Sequence, residues 1–235
     1  MIRGIAVVTG GTRGIGLELC RAASEAGFEV LTCSRTSPTD GFKFRHLQCD
    51  LSDPTEVERL ARTAQELGQV RLLVNNAGAI LATEGLQSES ADVVLQTLQV
   101  NVVAPITLAR LLAPAMADAG GGLIVNVASL YGAVASPYVL SYAASKAALL
   151  NATRSLAVAL APAGVRVNSI SPGNVDTEMT RSAGEDYVAD VESRTPLKRL
   201  GDAADVGHAL RFLLDAGFVT GEDIVVDGGI GLVGG

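Results

Sequence analysis

Short runs of aliphatic and β-branched residues alternate with longer stretches of helical periodicity along almost the whole chain, and no other feature restricts the fold as much. Ile5 to Thr9 is followed by the helical pattern Gly14 to Ala26 and then by Val30 to Ser34. Further strands are predicted at Phe44 to Cys49, Leu72 to Asn75, Leu123 to Val127, Val165 to Ile170 and Ile224 to Val226. Helical patterns fill the gaps. Pro54 to Leu67 carries a start signal, with Asp53 as cap and proline in the first turn. Ser136-Pro137 offers the same signal for a helix running towards Ala161.

Strand–helix–strand units in series need right-handed crossovers, which put helices on both faces of a parallel sheet. The expectation is therefore an α/β fold, a single Rossmann-type domain over residues 1–235, with a doubly wound parallel sheet of about seven strands that binds ligands beyond its carboxyl ends. With 48% hydrophobic and 18% charged residues, the chain has the material for its own core.

Right after the first strand stands Thr9-Gly10-Gly11-Thr12-Arg13-Gly14-Ile15-Gly16, opening a helix. Glycines let the backbone turn tightly and bring amides up to a pyrophosphate, and a helix N-terminus adds positive dipole. The strict GxGxxG pattern is not met, because Leu19 stands where its last glycine would be. A purely structural turn is the competing reading of this motif alone.

An NAD-binding sheet of this kind places an acidic residue about 20 residues beyond the glycines, at the end of the second strand. Here the residues are Cys33-Ser34-Arg35. No carboxylate would repel a 2′-phosphate, and Arg35 and Arg13 could both pair with one. The expected cofactor is NADPH/NADP+.

Tyr142 and Lys146 lie four apart on a predicted helix and so share a face, and Ser129 ends a strand–loop passage thirteen residues upstream. Carbonyl reduction needs a proton donor, and an ammonium beside a tyrosine is expected to lower its pKa from about 10. A serine hydroxyl could hold the substrate oxygen. Each of these residues alone is common in soluble helices and loops.

In order along the chain stand TGxxxGIG, Asn75-Asn76-Ala77-Gly78, Asn101, Ser129, the Tyr142/Lys146 pair and Pro172-Gly173. This series closely resembles the classical short-chain dehydrogenase/reductase family. The resemblance implies that Tyr142 is the general acid/base, that Lys146 also bonds the nicotinamide ribose, and that Asn101 holds a relay water. It implies further that Asp50 and Leu51 flank the adenine, while Asn76, Ala77 and Gly78 line the adenosine ribose. Asn75 is expected to knit the sheet instead. Pro172, Gly173, Val175 and Thr177 match positions near the carboxamide and pyrophosphate. The residues expected at the cofactor are thus Gly10, Thr12, Arg13, Gly14, Ile15, Gly16, Ser34, Arg35, Asp50, Leu51, Asn76, Ala77, Gly78, Tyr142, Lys146, Pro172, Gly173, Val175 and Thr177. A mobile substrate lid is expected at about Glu178 to Lys198. Two Ala- and Leu-rich helices, near Val93 to Ala117 and Pro137 to Ala161, match the family's four-helix subunit contact, which implies a homotetramer.

The segments Pro196 to Gly201 and Val219 to Gly229 are similar to the 3-oxoacyl carrier-protein reductase branch. The arginines that this branch uses for carrier docking are missing near Gly122-Leu123 and Ala163, and the linker Leu214 to Phe218 is short. The implied reaction is NADPH-dependent reduction of a ketone or 3-oxoacyl-type carbonyl to a secondary alcohol, with a free small molecule favoured over a carrier-protein thioester. An NADP(H)-binding regulator without turnover is the alternative from another class.

A net charge of −7 speaks against binding phosphate backbones or anionic membranes. The N-terminus lacks the pattern of a signal peptide, and no uninterrupted apolar run reaches the roughly 20 residues of a membrane span. A cytoplasmic location is expected. Cys20, Cys33 and Cys49 are expected to be reduced and structural, and no metal site is expected. Serine hydrolysis is disfavoured, because Ser129 has no GxSxG elbow and the two histidines, His46 and His208, fall in a strand and a helix away from it.

Overall fold

The computed structural model describes residues 3–82 and 84–233. Seven strands form one parallel sheet: β1 (Ile5–Thr9), β2 (Glu29–Ser34), β3 (Arg45–Gln48), β4 (Val70–Asn75), β5 (Gly122–Val127), β6 (Val165–Pro172) and β7 (Asp223–Val226). Their order in space is β3-β2-β1-β4-β5-β6-β7. The chain winds outward from β1 to β3, returns to the centre at β4 and winds the other way. Beyond the ends of β1 and β4 no crossover covers the sheet, and a cleft opens there.

The helices are α1 (Gly14–Glu25), α2 (Pro54–Leu67), α3 (Ala91–Leu98), α4 (Ala104–Asp118), α5 (Leu140–Leu160), α6 (Glu178–Arg181), α7 (Glu185–Arg194) and α8 (Ala203–Asp215). One face of the sheet buries Val7, Leu73, Ile124 and Val167 with Leu60 of α2 and Leu108 and Leu112 of α4. The other buries Val8, Val74, Val125 and Ile170 with Leu19 of α1 and Leu210 and Leu213 of α8. Adjacent strand residues serve opposite cores, which is why β1 and β5 are aliphatic over most of their length. Asp53 caps α2 by accepting from the Thr55 amide at 2.8 Å, as the sequence predicts.

Two helix boundaries differ from expectation. Ser136-Pro137 does not begin α5; the Ser136 hydroxyl accepts from the Tyr138 amide at 3.3 Å and closes a turn. The helix starts at Leu140, where Glu89, from another segment, accepts from the Ser141 amide at 2.9 Å and satisfies a first-turn donor. The expected helix from Val93 to Ala117 is a longer helical run, Ala91–Asp118, interrupted by a π-helical stretch at Gln99–Val103. By length and composition that run could cross a membrane. Its Leu108, Ala109, Leu112 and Met116 are all fully buried within the domain.

Candidate active site

At the carboxyl end of the sheet, α5 brings Tyr142 and Lys146 under the segment that follows β5. Lys146 is 3% exposed, its Nζ donates to the Val127 carbonyl at 2.7 Å, and it lies 5.5 Å from the centre of the Tyr142 ring. Burial alone lowers its pKa to about 8. Tyr142 shifts the other way. Burial raises its pKa, the Ser129 hydroxyl opposes this, and Tyr131 adds to the rise. The expectation that Lys146 lowers the Tyr142 pKa is not met, because the ammonium is turned to a backbone carbonyl and is itself costly to charge at this depth.

Ser129 is buried beside Tyr142, and its Oγ accepts from the Tyr131 amide at 3.2 Å. Asn101 sits in the π-helical stretch, a geometry frequent at functional positions. Its Oδ1 accepts from the Ala79 amide at 2.8 Å, and its Nδ2 donates to the Ala79 carbonyl at 3.0 Å and to Ser145 Oγ at 2.9 Å. Ser145 Oγ in turn donates to the Tyr142 carbonyl at 2.6 Å. Asn101 is thereby tied to the backbone of the tyrosine. Ser145 escaped the sequence reading because a serine next to a motif lysine carries no spacing signal of its own.

Asn75 does knit the interior: its Nδ2 donates to Asn126 Oδ1 at 2.8 Å, and Asn126 Nδ2 donates to Thr153 Oγ1 on α5 at 2.9 Å. This chain joins two strands to the helix that carries Tyr142.

The glycine-rich turn fits a dinucleotide phosphate. Gly10 and Gly14 have φ of +68° and +52°, and a Cβ on Gly16 would lie 2.1 Å from the Gly10 carbonyl oxygen. Among the described residues no side chain caps α1 and its first turn holds no acid, so its leading amides and positive dipole face the cleft unopposed. Thr12 and Ile15 are half-buried and Arg13 is exposed at this edge. Thr177 caps α6, and its methyl would lie 3.4 Å from a Cβ on Gly14. Arg13 pairs with Glu178 at 3.0 Å across the cleft mouth, both side chains largely in solvent.

Several of the expected cofactor residues spend their side chains on the protein. Asn76 Nδ2 donates to the Thr9 and Gly10 carbonyls at 2.9 and 3.2 Å, which fixes the glycine turn against β4. Ser34 Oγ donates to the Thr36 carbonyl at 2.7 Å and meets His46 Nε2 at 2.8 Å. Asp50 accepts from the Ser52 amide and hydroxyl at 2.9 and 2.8 Å. Leu51 and Val175 are buried in the two cores, so only their backbones face the cleft. Ala77 is half-buried, and a Cβ on Gly78 would stand 3.5 Å from Lys146 Nζ. Pro172 ends β6, and the Gly173 amide donates to the Val226 carbonyl at 3.0 Å. Arg35 is exposed and makes no ion pair among the described residues.

The expected lid comprises α6 and α7, with Val188 and Val191 packed on Leu130 and Ile230. A groove of about 460 Å³ lined by Arg21, Phe28, Lys43 and Phe44 lies at the amino ends of β2 and β3, opposite the reacting residues. The three cysteines are free and buried, with desolvation raising the Cys20 thiol to about 12.

Residues 10–231 match the family described as enoyl-(acyl carrier protein) reductase. The chain is 31% identical to the 3-oxoacyl-[acyl-carrier-protein] reductase FabG of Escherichia coli over 97% of its own length and 98% of that protein's. A solved structure described as an NAD(P)-dependent gluconate 5-dehydrogenase from Beutenbergia cavernae, with bound NADP, superposes with a TM-score of 0.90 at 32% identity, covering 98% of this chain and 97% of that one. A 4-hydroxyisoleucine dehydrogenase complexed with NADH superposes with a TM-score of 0.88 at 29% identity, covering 96% and 98%. Sheet order, glycine turn, the grouping of Ser129, Tyr142 and Lys146 and these relatives agree: the chain belongs to the short-chain dehydrogenase/reductase family of oxidoreductases, which work on carbonyl and alcohol groups with a nicotinamide cofactor.

Proposed function

We propose that this protein uses NADPH to reduce a ketone or 3-oxoacyl-type carbonyl to a secondary alcohol, by reversible hydride transfer. The observation that carries this reading is the meeting of Ser129, Tyr142 and Lys146 at the end of β5, where the Tyr142 hydroxyl is held protonated by burial. The reduced nicotinamide, when bound, supplies the hydride. Ser129 Oγ holds the carbonyl oxygen and polarises it, and the Tyr142 hydroxyl gives that oxygen its proton as negative charge develops. Lys146, donating to the Val127 carbonyl, holds the helix that carries Tyr142 against the end of β5. Asn101 and Ser145 keep the first turns of α5 in place.

Two features support NADPH: no acid stands at the end of β2, and Arg35 is exposed there without an ion pair among the described residues. A free small molecule fits a chain of net charge −7 better than an acidic carrier protein. In this reading the enzyme is a cytoplasmic homotetramer, joined through the outer faces of α4 and α5, and α6 and α7 move as a lid.

The test is NADPH oxidation with a panel of ketones, β-keto esters and β-keto thioesters. The expected result is turnover by wild type and a loss of about 10³-fold in Tyr142→Phe, with NADPH affinity retained. NADPH binding without turnover of any carbonyl would instead indicate a sensor of the same fold.

A further inference from the structure

Three uncharged polar side chains from separate segments form a connected row, with Tyr131 at the end near Tyr142. Tyr131 comes from the turn after β5, Asn174 from the segment after β6, and Tyr187 from α7. The Tyr131 backbone is fixed by its amide on Ser129 Oγ at 3.2 Å. The Tyr187 hydroxyl donates to Asn174 Oδ1 at 3.1 Å and also meets Tyr131, a contact that, after burial, helps to raise its pKa. Tyr131 is near enough to Tyr142 to raise the pKa of the reacting hydroxyl as well.

Once Ser129 and Tyr142 hold a carbonyl oxygen, a substituent on the carbonyl carbon faces this wall. A hydroxyl there can join the hydrogen bonds among these groups, which an alkyl chain cannot. The apolar side of α7 offers no alternative slot, because Val188 and Val191 are packed with Leu130, Val134, Leu200 and Ile230, and Val191 and Ile230 are each 1% exposed. Charge is not offered either: Arg194, the cation that acts on Tyr187, is paired with Asp190 at 2.9 Å.

Resting on the carbonyl-reductase reading above, we propose that the substrate is a short, uncharged ketone bearing a hydroxyl on the carbon next to the carbonyl, and that Tyr131, Tyr187 and Asn174 select this hydroxyl. The Asn174 amide donates to it, and the tyrosine hydroxyls donate to it or accept from it. The reaction is then R–CO–CH₂OH + NADPH + H⁺ → R–CHOH–CH₂OH + NADP⁺, with hydride reaching the carbonyl carbon and the proton reaching its oxygen from Tyr142.

The experiment compares 1-hydroxybutan-2-one with pentan-3-one, its match in shape with methyl in place of hydroxyl, offering both nicotinamide cofactors. Wild type is expected to favour the hydroxyketone by about 100-fold in kcat/KM, since a site built to bond a hydroxyl rejects the analogue lacking it. Tyr187 is 37% exposed, so Tyr187→Phe is expected to fold. In that variant and in Tyr131→Phe the ratio should fall at least tenfold, chiefly through KM of the hydroxyketone. Equal use of the two ketones by wild type, or an equal loss on both in the variants, overturns the selection and leaves the reductase reading standing. No oxidation of either cofactor with these ketones or with a β-keto thioester overturns both.

Discussion

The ammonium of Lys146 donates to the carbonyl of Val127, the last residue of β5, at 2.7 Å. This ties the helix that carries Tyr142 to the strand that leads to Ser129, and it leaves a buried cation facing a neutral partner. In the unfolded chain Lys146 keeps its proton up to about 10.5, whereas in the folded protein it loses it near 8. Below pH 8 both states are protonated and burial costs folding about 3 kcal/mol; between 8 and 10.5 only the unfolded state holds the proton, so this cost fades as pH rises. Lys146→Met removes the cation but leaves the Val127 carbonyl without its donor, which costs about 1–2 kcal/mol. Denaturant unfolding should therefore find the variant more stable than wild type by about 1–2 kcal/mol at pH 7, with the order reversed by pH 10.5, while carbonyl reduction is lost. A variant less stable than wild type at pH 7 would contradict this account.

Arg35 stands in solvent at the end of β2 and makes no ion pair among the described residues. Arg35→Ala is expected to raise KM for NADPH about tenfold and to change KM for NADH less than twofold, because only the 2′-phosphate is lost as a partner. An unchanged ratio of the two would remove the arginine from cofactor selection.

At Gly16 a methyl group would meet the Gly10 carbonyl oxygen at 2.1 Å and Asn76 Nδ2 at 2.5 Å, so α1 must move away from the glycine turn. Gly16→Ala is expected to lose about 1–3 kcal/mol of stability. Calorimetry should show weaker nicotinamide binding as well, since the same shift misaligns the amides of the first turn.

Val103 and Ile106, at the start of α4, and Val158 on α5 are 45%, 37% and 79% exposed in the single chain. Burial of this apolar face between subunits predicts a tetramer in sedimentation at micromolar concentration, and Val158→Lys should shift it to smaller species. A wild-type monomer under those conditions would refute the assembly.

The sequence by itself determined the sheet and the order of the site. Buried parallel strands tend to be apolar on both faces, so the central strands were legible as aliphatic runs, with errors of only a residue or two at their ends, while the edge strand Arg45–Gln48 holds one aliphatic residue, Leu47. A glycine turn leading into a helix and a Tyr/Lys pair four apart are local statements, and local backbone geometry honours them. Tertiary structure decided what depends on neighbours distant in the chain. The start of α5 is set by Glu89, 52 residues away from Ser141 in sequence, and Asn101 is held by Ala79 and Ser145. The side chains of Leu51 and Val175 turn into the cores rather than the cleft. The charge state of these residues belongs here too: spacing placed Lys146 beside Tyr142, but the low-dielectric packing around both shifts the lysine pKa down and the tyrosine pKa up. Desolvation depends on which atoms surround a group in space, and only the folded chain assembles them.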